Sequence, residues 1–186
     1  MTIESGAAVR SSDWLGFPPV LDACCGSQMF WFDKGDPRAV FLDERKGIFA
    51  LDERKGRAAT EVKPDIIGDF TNLPFPDSSF YLVVFDPPHL LDISEKCRLA
   101  VKYCKLFSDW RDELAAGFRE CFRVLKPNGV LVFKWSEAHI PIKDVLELSP
   151  HAPLFGNKAI GISGRVPRGS THWICFLKGG GGGSSP

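Results

Sequence analysis

Three observations predict a doubly wound α/β domain, a mostly parallel sheet closed by an antiparallel C-terminal strand pair. Apolar runs without alternation, such as residues 81–85 and 130–133, read as strands buried on both faces. In the first half of the chain such runs stop at acids (Asp22, Asp43, Asp69 and Asp86), with turn-rich or helix-periodic segments between them. Two further apolar stretches, residues 154–162 and 171–177, flank a Gly-containing loop, as an antiparallel pair would.

In chain order, residues 1–16 show no periodicity and are expected to form an N-terminal arm. Residues 20–24 form the first expected strand, and Gly26 with its small neighbours makes a tight turn. Ser27 is placed to cap a helix over residues 28–34, with Met29, Phe30 and Trp31 facing the sheet. Strand, small-residue turn and helix start together suit a nucleotide-binding α/β unit, although a full Gly-x-Gly-x-x-Gly is absent. Residues 39–42 form the second strand. Asp43 follows it, twenty-one residues after Asp22 and close to the spacing at which an acid reaches a ribose hydroxyl.

The hexapeptide Leu-Asp-Glu-Arg-Lys-Gly occurs from Leu42 and again from Leu51. A single nine-residue repeat is too short for a solenoid. The second copy reads as a hairpin turn between arms 48–51 and 57–63. Asp43 directly follows Val40-Phe41-Leu42, which favours it over Asp52 as the ribose acid. Residues 65–70 form a third short strand containing Asp69, and residues 73–80 a turn-rich link. A polar, basic loop extends from His89 to residue 107. Ser108 or Asp109 then caps a helix with one apolar stripe: Trp110, Leu114, Phe118, Cys121, Phe122 and Leu125. Lys126-Pro127-Asn128-Gly129 should end that helix before a strand over 130–133, and residues 140–148 suit a short helix. The domain spans residues 17–178, and residues 179–186 form a flexible Gly/Ser tail.

The stretch with most chemistry is Tyr81-Leu82-Val83-Val84-Phe85-Asp86-Pro87-Pro88-His89. Neither proline has an N–H for a sheet ladder, so the strand stops with Asp86 at its carboxyl end. Open α/β sheets bind ligands at that edge, and the stiff Pro-Pro pair fixes the backbone beside the carboxylate.

The 186 residues, 44% hydrophobic and 25% charged, suffice for one domain with a full core. No apolar run approaches about 18 residues, so no membrane span is expected. The first twelve residues lack a signal pattern. Six cysteines form no Cys-x-x-Cys pair, so a metal site is not expected and they read as reduced thiols of a cytoplasmic protein. Formal net charge is zero, which argues against strong non-specific DNA binding. Basic residues nevertheless gather in residues 95–111, including Lys102 and Lys105, and after Glu147, where no acid follows. Either segment can meet a polyanion.

Taken together, the motifs resemble class I S-adenosylmethionine-dependent methyltransferases, whose fold is Rossmann-like. Asp22, Ala23, Cys24 and Gly26 stand where that family has its cofactor-binding strand and turn. Asp43 stands at the ribose acid, and Asp69 and Phe70 lie near the adenine position. The passage from Arg123 to Leu131 is similar to the family's Leu-Lys-Pro-Gly-Gly segment, with Asn128 replacing a glycine. Asp86-Pro87-Pro88-His89 resembles the Asp-Pro-Pro-Tyr type of signature of enzymes that methylate exocyclic amines of adenine or cytosine.

The resemblance implies S-adenosyl-L-methionine as cofactor and DNA or RNA as substrate, with adenine ahead of cytosine and DNA slightly ahead of RNA. The amine nitrogen's lone pair is delocalised into its ring. A carboxylate and a proline carbonyl accepting its hydrogens would restore density and orient it. His89, in the usually aromatic position, can stack on the base but can also titrate near neutral pH. A base inside a duplex would first have to be flipped out. Lys134 and Trp135 end the following strand on the same edge and, with Lys102 and Lys105, are candidate substrate contacts. Sequence specificity would come from the 90–107 loop, the basic C-terminal loop or a partner protein. Rival expectations are an RNA or protein-glutamine methyltransferase, or a methyltransferase-like binding subunit without turnover.

Overall fold

The computed structural model describes residues 18–49, 59–91, 109–157 and 170–180. In chain order its elements are β1 (Val20–Asp22), β2 (Ala39–Asp43), β3 (Gly47–Phe49), β4 (Thr60–Val62), β5 (Ile66–Ile67) and β6 (Phe80–Phe85). Next come α1 (Trp110–Val124), β7 (Leu125–Ser136), α2 (Ile142–Leu146), β8 (Phe155–Gly156) and β9 (Thr171–Leu177).

Seven strands form one sheet in the order β5-β2-β1-β6-β7-β9-β8, and β3 and β4 pair separately as an antiparallel hairpin. The first five of these pair in parallel, and β9 runs antiparallel to both β7 and β8. Numbered by sequence, the parallel strands stand 3-2-1-4-5. This is the doubly wound order, and its switch point falls between β1 and β6. The fold class expected from the sequence is the one observed.

Each parallel strand overlaps the apolar run that predicted it; of the expected strand 154–162, Phe155–Gly156 forms β8 and residues 158–162 lie outside the described residues. All five residues of β2 are buried, as are Val83, Val84 and Phe85 in β6. The stripe on α1 also holds: Trp110, Leu114, Phe118, Cys121 and Phe122 are buried against the sheet. Phe85, Phe118, Phe133, Trp135 and Phe176 have almost no solvent exposure. Burying a side chain of this size contributes roughly 1.5–3 kcal/mol. Gly117 sets how closely α1 approaches, because a Cβ there would lie 2.7 Å from the rings of both Phe70 and Phe85.

Several expectations require correction. Residues 28–34 form turns and no helix, so Ser27 caps nothing. Gln28 adopts φ 53, outside the right-handed helical region, and Trp31 turns inward to a buried acid. The third parallel strand is only Ile66–Ile67. Lys126-Pro127-Asn128-Gly129 does not separate helix from strand. The strand begins at Leu125, and its register against β6 shifts between Phe80 and Leu82. Asn128 takes φ 63 in this irregular passage, and its N–H donates to the Lys178 carbonyl. Asp109 precedes α1 without a side-chain cap, and α2 is shorter than the stretch expected to be helical. The N-terminal arm, Asp52 and the second hexapeptide copy, Lys102, Lys105 and residues 181–186 lie outside the described residues.

Candidate active site

The sheet register brings the strand-ending acids to one edge. Asp22 stands opposite Phe41 of β2 and Val84 of β6, and Asp43 stands opposite Ile67 of β5. Phe85 pairs with Phe133, so the next residues, Asp86 and Lys134, emerge side by side. A cleft opens over this edge. Its walls include Ala23 to Ser27, Met29 and Phe30, Asp43 to Arg45, Gly68 and Phe70, and Asp86 to His89. One cavity at the carboxyl edge therefore gathers Ala23, Cys24, Gly26, Asp43, Phe70, Asp86, Pro87, Pro88 and His89. Each of these was singled out from the sequence.

Asp22 lies beneath this cleft and does not line it. It is fully buried, with Oδ2 accepting from Trp31 Nε1 at 2.7 Å and Oδ1 accepting from the Cys24 N–H at 3.3 Å. Burial pushes its carboxyl up to about 7, and the charges of Asp86 and Asp43 add to the rise. The two hydrogen bonds oppose that rise only in part. Its two hydrogen bonds tie down the turn that follows β1.

Asp43 does line the cleft. Its Oδ2 accepts from the Gly26 N–H at 2.8 Å, and its Oδ1 accepts from the Arg45 N–H and, at 3.3 Å, Arg45 Nε. Gly26 has φ 50, a left-handed conformation that costs a residue lacking Cβ little. Cys24 and Cys25 flank this turn, and burial raises both thiols well above their ordinary values. They are poor candidates for nucleophiles.

At the other end, Asp86 Oδ2 accepts from Lys134 Nζ at 2.5 Å. Burial raises the Asp86 carboxyl, and the Lys134 charge and hydrogen bond oppose it. His89 is held down to about 4 by burial, then by the charges of Lys134 and His139, with a Pro87 backbone hydrogen bond acting the other way. The expectation that His89 titrates near neutral pH is therefore corrected: its ring is neutral there. The Trp135 indole meets this ring edge-on at 6.2 Å.

The remaining expected contacts are not brought to the cleft. Asp69 is exposed, and its Oδ1 accepts from the Thr71 N–H at 2.8 Å, whereas its neighbours Gly68 and Phe70 form the wall. Trp135 is entirely buried and donates Nε1–H to the Ile140 carbonyl, which makes it core. Lys134 contacts Asp86 and is not part of the cleft wall. Sequence reading placed neither Arg45 nor Phe30 at the cleft, and set Trp31 against the sheet without its bond to Asp22. The two-residue spacing from Asp43 was the one available sign of Arg45, and nothing local marked the Trp31–Asp22 bond. Among the described residues, no group of three or more His, Cys, Asp or Glu could hold a metal ion. No helix among them is long and apolar enough to cross a membrane.

No protein-family model matches this chain, and no curated protein matches it. Among solved structures, it is similar to a Pyrococcus horikoshii protein (17% identity, 86% of this chain and 81% of the other, TM-score 0.49). It is also similar to the [4+2]-cyclase SpnF (14%, 87% and 74%, 0.48). A third is an S-adenosylmethionine-dependent methyltransferase from Methanosarcina mazei (14%, 90% and 96%, 0.48). At these identities and scores the likenesses say nothing about activity. The fold assignment rests on the strand order and pairing.

Proposed function

We propose that this protein is an S-adenosylmethionine-dependent methyltransferase acting on an exocyclic amino nitrogen of a nucleic-acid base, adenine before cytosine. One observation carries the reading: Asp43 beside the left-handed Gly26 turn and Asp86-Pro87-Pro88-His89 line the same cleft at the switch point of the sheet. The donor set suits the cofactor. An acid on a strand end, a glycine turn without Cβ, and Gly68 with the flat ring of Phe70 form one end, as a ribose and a purine require. Bound there, S-adenosylmethionine would supply an electrophilic methyl group.

The chain's own residues would receive and orient the acceptor. Asp86 and a carbonyl of the Pro87-Pro88 pair would accept the two amine hydrogens, favouring the orientation in which the nitrogen lone pair faces the cofactor. His89, a neutral planar ring supported by Trp135, would lie against the base. A carboxylate aimed at the amine acts mainly by position and electrostatics and need not be a strong base.

Tritiated-methyl transfer to DNA, RNA and protein pools tests the reading. Label should enter nucleic acid, and incorporation into protein alone would sink the nucleic-acid assignment. Asp86→Ala should abolish transfer while cofactor binding persists, whereas retained transfer would remove Asp86 from the mechanism.

A further inference from the structure

Lys134 has a placement that substrate contact alone does not explain. Its ammonium sits against Asp86 Oδ2, and the two side chains are only 17% and 18% exposed. Across the β7–β9 ladder Lys134 stands opposite Trp173, so the two side chains share one face of the sheet. Nζ lies 5.8 Å from the Trp173 ring centre and 5.5 Å from that of Phe30. These two rings also meet each other edge-on at 5.3 Å. The ammonium is thus confined between an aromatic corner and one carboxylate oxygen. Among the described residues, no hydrogen bond is made to Asp86 Oδ1.

We propose that Lys134 is a positioning residue for Asp86, holding Oδ2 so that the carboxylate remains an acceptor and offers Oδ1 to the incoming amino group. The assignment deepens the methyltransferase reading and rests on it. An amino group donates hydrogens, and a carboxylic acid whose proton sits on the wrong oxygen cannot serve it. The surroundings press Asp86 towards that acid. Burial disfavours its charge, Asp22 at the end of β1 is a second carboxyl, and the Cys24 thiol and the neutral His89 ring offer no cation. Lys134 on β7 is the cation in contact with it among the described residues. The aromatic corner narrows the space open to that cation beside Asp86, with both ring centres within about 6 Å of Nζ.

The test follows the ionisation of Asp86 directly, by carbon-13 carboxyl NMR titration of the cofactor-free protein. Lys134→Met should raise the Asp86 midpoint by about 1–3 pH units, the usual effect of removing an adjacent opposite charge. Lys134→Arg should restore it to near the wild-type value, and Lys134→Gln replaces the Met variant if that does not fold. An unchanged midpoint in the neutral variants overturns the proposal. In methyl transfer, the acid limb of the pH–rate profile should move up with the midpoint, so that activity lost at neutral pH returns at alkaline pH. Equal loss at every pH would assign Lys134 to something other than the charge state of Asp86, and would also overturn the proposal. If wild-type protein methylates none of DNA, RNA or protein, the methyltransferase reading fails, and the titration still reports separately whether Lys134 sets Asp86.

Discussion

Asp22→Asn should change how the stability of this protein depends on pH. Asp22 is fully buried, and its folded-state value is pushed from 3.8 up to about 7. A raised carboxyl binds its proton more tightly when folded, so the folded state gains from this group at low pH and loses that gain as pH climbs towards 7. At about pH 5 the folded group is protonated and the unfolded group mostly ionised. Two units below the folded value, at about 1.4 kcal/mol per unit, correspond to about 3 kcal/mol. Above about pH 8 this contribution is gone. Asparagine carries no charge at either pH and abolishes this dependence. It keeps an acceptor for Trp31 Nε1 and forfeits the longer bond from the Cys24 N–H, a loss of about 1 kcal/mol at both pH values. Urea unfolding of both proteins at the two pH values reads the difference. The variant should gain about 3 kcal/mol on wild type in going from pH 5 to pH 8. Equal pH dependence in the two proteins would show that Asp22 is ionised in the fold and refute the reasoning.

Two further substitutions test how the fold supports the site. Gly117→Ala adds helix propensity worth about 1 kcal/mol but places a methyl 2.7 Å from Phe70 and Phe85. Overpacking of this kind costs about 1–3 kcal/mol, so the variant should lose stability in urea and, with Phe70 displaced, bind S-adenosylmethionine more weakly. A more stable variant with unchanged binding would show that the helix yields freely. Arg123 bonds Glu120, Asp77 and the carbonyls of Leu73 and Phe75, tying α1 to the link before β6. Arg123→Met should cost about 2 kcal/mol in chemical denaturation, and a change under about 0.5 kcal/mol would reduce these contacts to surface pairs.

The strand ends were legible because each is an apolar run stopped by an acid, and the parallel sheet carries those acids to one edge. That is why Asp43 and Asp86 could be read as partners although they lie far apart in the chain. The link after β1 was not legible. Met29, Phe30 and Trp31 have the composition of a helix face, but Asp22 is buried and takes the Trp31 indole N–H as a donor. That tertiary bond belongs to a turn structure, and local propensity does not report it. The Asp86–Lys134 pair was missed for a similar reason. Each residue was visible at the end of its own strand, but the register that sets them side by side is a property of the folded sheet. Asp69 misled because an acid at a strand end is also what a tight turn uses, and its carboxylate serves the Thr71 N–H.

Calorimetric titration reads directly whether one cleft binds a methyl donor between Asp43 and Asp86. S-adenosylmethionine and S-adenosylhomocysteine should each bind at one site. Asp43→Ala should weaken both, Asp86→Ala should leave both largely intact, and NAD should give no heat of binding. NAD binding without either sulfur nucleoside would contradict the account.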